Sequence, residues 1–451
     1  MPSNTPPMAP GRLPLLGHAV TLWREPLTFL ASQHHPAGLV EVRLGTHPAY
    51  LVTTGAVARA VFTDYDRYHR AGPMIDSLRT LIGEGLPTAD NNTHHRQRPM
   101  IQTAFHRERL AQYVPQMVQC ATDAVAAWRI GTPIDIYGTM HQLASTTLTR
   151  TLLSSPAVAP AAAQIEQHLP ILLAGLYRRM ILPVPRLHTL PTPANRRFAQ
   201  AMHTIRTATE RAIRGYHDET KRPHDILTLL IEARDPDNGQ PLTDHQIRDH
   251  TISIMVGGTE STASTLAWAL YLLARNPALQ QRVRHELHTT LQGQDPTLDT
   301  LRRLPFTHAA IKETLRMYPP GWITSRTTAT DVTLAGHHLP QGSQLLLSPY
   351  GLQHNPHAFP DPDRFDPDRW LNNDTPRDQR SHFAAFGGGP TKCIGDTFAL
   401  TEIAAVLTTV LSRYHLEPTG PRRVRPHIKL FMSPHQFHLT PCTPPPATQL
   451  D

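Results

Sequence analysis

Apolar residues recur at helical spacing through the middle of this chain and switch to short strand-like runs in three places. Leu39-Val40-Glu41-Val42-Arg43-Leu44 and Ala49-Tyr50-Leu51-Val52-Thr53 are rich in β-branched and aliphatic residues and are separated by Gly45 to Pro48, which predicts a hairpin. From 107 to 234 the pattern is mostly helical. It is interrupted at Gly131-Thr132-Pro133, Ser154-Ser155-Pro156 and the proline-rich stretch from Leu182 to Pro193. A long helix follows. Thr243-x-x-Gln246 forms a capping box at its start, Ile247, Ile254, Met255, Leu266 and Leu273 carry its apolar stripe, and Asn276-Pro277 stops it. Its extent of about 33 residues corresponds to roughly 50 Å. Lys312 to Arg316 lies on another helix ended by Pro319-Pro320. Asp331 to Leu334 and Ser343 to Leu347 read as strands around Gly336, and Leu400, Ile403, Leu407, Val410, Leu411 and Tyr414 mark a last helix beginning near Asp396. Residues 428 to 440 alternate as a further hairpin.

Composition narrows the class. A chain of 451 residues can bury a large core. Three cysteines, Cys120, Cys393 and Cys442, are too few for a disulfide framework and predict a reducing, cytoplasmic setting. No apolar run reaches 18 residues and no signal-peptide pattern opens the chain, so no integral membrane segment is expected. The 44 prolines are about twice the usual ~5% share. They gather in a lead-in over residues 1–16, expected to be mobile, in a tail over 441–451, and in the 182–193 loop. A net charge of +7 without a basic run or aromatic-interleaved patch argues against nucleic acid as a partner. It fits a basic face for an acidic protein.

The strongest chemical signal is Phe386-Gly387-Gly388-Gly389-Pro390-Thr391-Lys392-Cys393-Ile394-Gly395, which runs straight into the last helix. A cysteine before a helix start gains unpaired N–H groups and a positive dipole, which favour the thiolate. Three glycines let the backbone bend sharply and approach a large flat group such as a porphyrin. The order of Thr391, Lys392 and Cys393 excludes a phosphate-binding loop, and the third glycine of a dinucleotide fingerprint is missing. Phe-x-x-Gly-x-x-x-Cys-x-Gly resembles the haem-ligand loop of the cytochrome P450 superfamily, whose cysteine thiolate is the fifth ligand to haem iron. Thr391 stands where that family usually has Arg or His for a haem propionate. The resemblance then implies a weakened propionate contact, or its transfer to Lys392.

Four other stretches fall in the family's order. His94-x-x-x-Arg98, followed by Ala104-Phe105, resembles the pair of donors to the haem propionates, and Arg326 matches a third. Gly257-Gly258-Thr259-Glu260-Ser261-Thr262 interrupts the long helix with two glycines that cost it about 1 kcal/mol each relative to alanine. It resembles the oxygen-activating stretch, with Glu260 as the acid that relays protons and Ser261 as the hydroxyl that steers them. Serine replaces the family's usual threonine and loses the methyl that fixes the rotamer. Glu313-x-x-Arg316 with Pro367-Asp368-Arg369-Trp370 resembles the buried Glu-Arg-Arg triad that supports the cysteine loop. Met255, Gly258, Trp322, Ile323, Phe431 and Met432 are the substrate-pocket candidates. Gly175 to Met180 and Leu190 to Phe198 look most like actinobacterial members that oxidise terpenes.

The resemblance implies a mainly α fold with a smaller β-containing lobe, spanning residues 17–440 as one domain. It implies haem b held by Cys393 and monooxygenation of an apolar small molecule, expected to be a terpenoid, once or in successive steps. With no flavin or iron–sulfur region in the chain, electrons are expected from a ferredoxin or flavodoxin served by an NAD(P)H reductase, and the enzyme is expected to be a monomer. A peroxide-driven peroxygenase and a haem-binding sensor are the alternatives. The Glu260-Ser261 pair argues against both. A metal-hydrolase reading of the 28 histidines finds no His-Glu-x-x-His spacing.

Overall fold

The computed structural model describes residues 5–155, 158–181, 185–217, 225–235, 237–371, 376–420 and 423–445. The centre of the fold is the helix Asp244–Ala274, capped as expected by Thr243 and Gln246 in a reciprocal box. From Ala263 to Ala274 every residue is buried, so this half has no solvent face and no need of amphipathic patterning. It packs against the helices Ile136–Leu152, Pro193–His217 and Asp396–Arg413. Trp268 stacks on Tyr318 with ring centroids 3.7 Å apart.

The strand-bearing lobe is a five-stranded sheet in the spatial order Leu39–Leu44, His47–Val52, Gln344–Leu347, Thr324–Thr328, Tyr68–His69. The first pair is the predicted hairpin, with Leu39 opposite Val52. The lead-in is tied to it from Pro7 onward rather than loose. Ala9 N–H donates to Glu41 O at 2.8 Å and Glu41 N–H donates to Pro7 O at 2.7 Å.

The two strands expected around Gly336 both form, each with a different partner. Val332–Leu334 turns back at Ala335 and Gly336, both at positive φ, and pairs with His337–Leu339. Gln344–Leu347 joins the main sheet instead. Residues 428 to 440 are not the hairpin that their alternation suggests. Met432–Pro434 pairs with Pro426–Ile428, whereas His438–Cys442 pairs with His415–Thr419 and Ile134–Asp135. Alternation assigns faces but carries no information about the partner strand.

The cysteine loop is held from behind by a buried polar network. Glu313 and Arg316, on the helix Pro305–Met317, are both fully buried and pair at 2.9 Å, and Arg369 Nε reaches Glu313 at 3.0 Å. Arg316 donates to the carbonyl of Gln353 at 3.0 Å, and Gln353 Oε1 accepts from Ala384 N–H at 2.9 Å. Two residues later the loop begins.

On the far side of the loop, the helix Asp396–Arg413 carries Glu402, which is 1% exposed and has an Oε1 without a hydrogen-bond partner among the described residues. Burial pushes its carboxyl up to about 8 from 4.5, with only the Thr147 hydroxyl acting the other way. A raised value means the folded state holds this proton more tightly than the unfolded chain does. Its contribution is intact below pH 4.5 and is lost as pH climbs toward 8. Glu402→Gln is therefore expected to raise the melting temperature at pH 8, by the equivalent of about 1 kcal/mol or more, and to change it little at pH 4.5. Thermal unfolding at the two pH values checks this; an equal effect at both contradicts it.

Candidate active site

The glycines of the cysteine loop have distinct duties. Gly387 and Gly389 take φ of 70° and 62°, and a Cβ on Gly389 would lie 2.0 Å from the carbonyl oxygen of Phe62. The loop closes through Cys393 N–H donating to Phe386 O at 2.9 Å. This aims Cys393 into a cavity of about 450 Å³. Burial raises the thiol above its ordinary value, Asp396 adds to the rise, and the Gly395 N–H, Arg98 and Lys392 pull the other way without winning. The helix-side N–H of Gly395 pulls toward the thiolate as expected, and the side chain is open to the cavity.

The same cavity is edged by basic side chains. His94, Arg98 and Arg326 all line it, as the motif spacing suggests, and so does Arg70, which belongs to no recognised motif. His94 and Arg98 come from the helix Asn91–Gln102, capped by Asp90. Arg326 sits on a central strand of the sheet. Burial lowers Arg326 to about 9, with Arg70 adding to the fall, and lowers Arg70 to about 10. Burial with the three neighbouring guanidinium groups drops His94 to about 3, so its imidazole is neutral. Among the described residues no carboxylate forms a salt bridge with Arg70, Arg98 or Arg326; Arg70 donates to the Leu86 carbonyl and lies beside the Tyr65 hydroxyl. Buried Arg70 and Arg326, with half-buried Arg98 beside them and no carboxylate salt-bridged to any of the three, constitute an anion site.

Thr391 is half-buried here and its hydroxyl accepts from Arg326 Nη2 at 3.0 Å, which holds the guanidinium toward the cavity. Lys392 is paired with Asp396 instead. The expected transfer of an anion contact to Lys392 is not what the geometry offers; Arg70 is the additional cation.

On the long helix, Gly257, Gly258, Ser261, Thr262 and Thr265 line the cavity. A Cβ on Gly257 would meet nothing within 4 Å, whereas one on Gly258 would lie 2.2 Å from Leu148 Cδ1. Gly257 leaves room in the cavity; Gly258 lets a neighbouring helix approach. Ser261 Oγ donates to Gly257 O at 2.6 Å. Glu260 does not line the cavity. About 100° further back around the helix, its carboxylate accepts from Tyr137 OH at 3.0 Å and lies 3.2 Å from His141 Nε2. Burial works against the His141 cation, but the hydrogen bond and charge of Glu260 raise its pKa.

The pocket candidates divide. Gly258, Ile323 and Phe431 line the cavity. Met255 is buried in the helical core instead, Trp322 turns away to donate to Lys429 O at 3.0 Å, and Met432 is fully buried with its N–H on Pro320 O. Sequence reading also missed an apolar wall, formed by Met74, Ile75, Leu78 and Ile82 of the helix Pro73–Ile82 and continued by Leu86. Their i, i+3, i+4 spacing was the available signal.

The family model for cytochrome P450 matches residues 6–440. The chain belongs to the cytochrome P450 family. It is 40% identical over 419 residues to pentalenene oxygenase of Streptomyces avermitilis, covering 93% of both chains, and 39% identical over 410 residues to cyclooctat-9-en-7-ol 5-monooxygenase of Streptomyces melanosporofaciens, covering 91% of this chain and 89% of the relative. The fold matches the crystal structure of the cytochrome P450DA heme domain with a TM-score of 0.87, at 24% identity over 99% of both chains. This P450 is a monooxygenase related to bacterial terpene oxygenases and uses the family's haem-thiolate cofactor. No helix among its described residues is long and apolar enough to cross a membrane.

The donor set suits that cofactor. One thiol aimed into the cavity, guanidinium groups awaiting anions and a glycine that leaves space match an iron centre bearing two carboxylates. Haem-free protein should therefore be strained where haem-loaded protein is not. Arg326→Met is expected to leave the melting temperature of the haem-free P450 unchanged or higher while lowering haem affinity at least about tenfold. Haem titration and calorimetry of both forms check this; a large loss of stability in the haem-free variant would show that Arg326 is already satisfied within the protein.

Proposed function

We propose that this P450 inserts oxygen from O2 into a C–H bond of an apolar terpenoid, once or successively, with electrons from a separate ferredoxin or flavodoxin and its NAD(P)H reductase. One observation carries the reading: Cys393, the guanidinium groups that lack carboxylate partners and the space beside Gly257 open into a single cavity with largely aliphatic walls. In this reading Cys393 would ligate the iron of haem b, and Arg98, Arg326 and Arg70 would hold its propionates. Neutral His94 adds a hydrogen bond. Bound there, haem supplies the oxidising power for C–H cleavage and return of the hydroxyl, which the thiolate promotes by pushing electron density to iron. The aliphatic walls exclude water and bind substrate by area, with a gain of roughly 25 cal/mol per Å² buried. The names of the two Streptomyces relatives support a terpenoid, and the net charge of +7 supports an acidic electron carrier.

Ser261 is assigned the proton-steering role, because its hydroxyl lies on the cavity face and is anchored to Gly257 O. Glu260, turned toward Tyr137 and His141, acts from the opposite side as a positioning residue and proton store.

Two experiments test the proposal. Cys393→His is expected to abolish the red-shifted Soret band of the reduced carbon monoxide complex together with terpenoid oxidation; a variant that keeps both overturns the ligand assignment. Ser261→Ala is expected to bind haem and substrate normally while product per NAD(P)H falls several-fold and peroxide rises. Thr262→Ala is the comparison, since its side chain leaves the helix about 100° away. Uncoupling confined to Thr262→Ala would move the role off Ser261.

A further inference from the structure

The cavity continues along the long helix beyond Gly257, where Val256, Ile254, Ser253 and His250 form its lining opposite Ile75, Leu78 and Ile82. Two polar side chains in this stretch lack an evident purpose for a hydrocarbon substrate. Hydroxyls inside helices usually fold back onto the carbonyl four residues earlier. Thr251, Ser261 and Thr265 do so at 2.8, 2.6 and 2.8 Å. Ser253 does not: it is half-buried, lines the cavity and makes no hydrogen bond with a described residue.

His250 lies three residues earlier, so the two side chains are neighbours on the helix surface, with Cβ atoms about 5–6 Å apart. Its imidazole is 1% exposed, and Nε2 lies 3.0 Å from Gln97 Oε1. Burial drives its pKa down to about 4, so the ring is neutral at physiological pH. With the single ring proton committed to Gln97, Nδ1 is left as an acceptor. The pair thus offers one acceptor and one hydroxyl that both donates and accepts. A single alcohol satisfies both, giving its proton to His250 Nδ1 and receiving that of Ser253. A hydrocarbon would desolvate them and pair neither.

We propose that His250 and Ser253 form an anchor for a hydroxyl already present on the substrate, so that this P450 takes an apolar polycyclic alcohol in preference to the parent hydrocarbon. The inference rests on the terpenoid reading above and refines it. Ser253 and Ser261 are eight residues apart, about 12 Å along the helix axis, a span comparable to a fused C15 to C20 skeleton. The anchored oxygen then lies at one end of the substrate and the carbon to be oxidised at the other. A preceding reaction must have installed that hydroxyl, either by quenching a cyclisation cation with water or by an earlier oxygenation.

The test uses haem-loaded enzyme and a matched pair of C15 tricyclic probes, α-cedrene and its alcohol counterpart cedrol, titrated by the shift of the haem Soret band. Cedrol is expected to bind about tenfold tighter than α-cedrene, the worth of roughly one neutral hydrogen bond. In Ser253→Ala, which removes only an unpaired hydroxyl and favours the helix, that preference is expected to fall to within about twofold while α-cedrene affinity stays unchanged. Equal affinities in the wild type, or a preference that survives Ser253→Ala, overturn the anchor and leave the terpenoid reading standing. Failure of both probes to shift the band overturns the terpenoid reading and the anchor with it.

Discussion

A single buried carboxylate organises the region on which the cofactor loop rests. Glu313 accepts from Arg316 Nε and Nη2, Arg369 Nε, Trp370 Nε1 and the backbone N–H of Asp366. Such a charge is tolerable at zero exposure because the loss of water is offset by donors already fixed in place. Removing one partner would strand the others, so the helix Pro305–Met317, the segment from Gln353 to Trp370 and the approach to the cysteine loop are constrained together. The coupling to the loop is direct, through Arg316, Gln353 and Ala384. A thiol ligand has to be held within a few tenths of an ångström, and a glycine-rich loop has little stiffness of its own. The rigidity is borrowed from this network.

The cavity uses the opposite electrostatic strategy. Glu313 is satisfied in full, whereas Arg70, Arg98 and Arg326 are left without carboxylate partners, and the surroundings of Cys393 favour its neutral thiol. Each deficit has the sign the haem-thiolate cofactor corrects: anions for the arginines, a metal cation for the thiol. Folding energy is thereby withheld at the site and recovered on cofactor binding, so that haem affinity and the stability of the loaded protein are linked quantities.

Much of this was legible in the chain. The cysteine loop, the capped long helix and the His94 and Arg98 spacing each combine a residue type with a period, and periods survive folding. What could not be read follows the limits of periodicity. Trp322 and Ile323, or Phe431 and Met432, are adjacent residues outside any helix, each pair at the entry to a strand; in each pair one lines the cavity and the other is buried away from it. Strand partners were misjudged at 428–440, and left open at 331–347, because period two carries no address. Arg70 was invisible for a different reason. It is one arginine among many, and only burial beside Arg326 marks it out.

Helical geometry also limits what a sequence motif can mean in space. Glu260 and Ser261 are adjacent letters, but successive side chains leave a helix about 100° apart. Ser261 faces the cavity, while Glu260 reaches the helix Ile136–Leu152 through Tyr137 and His141. The acid and the alcohol are therefore not one unit but two faces of one helix turn, joined only through its backbone. This arrangement separates two demands that conflict. A carboxylate placed among the aliphatic walls would carry water in with it and weaken the binding of an apolar substrate, whereas a serine donating to its own helix at Gly257 adds a hydroxyl with little hydration. Charge is kept behind the helix, where His141 and Tyr137 stabilise it, and the cavity face retains only the small neutral group.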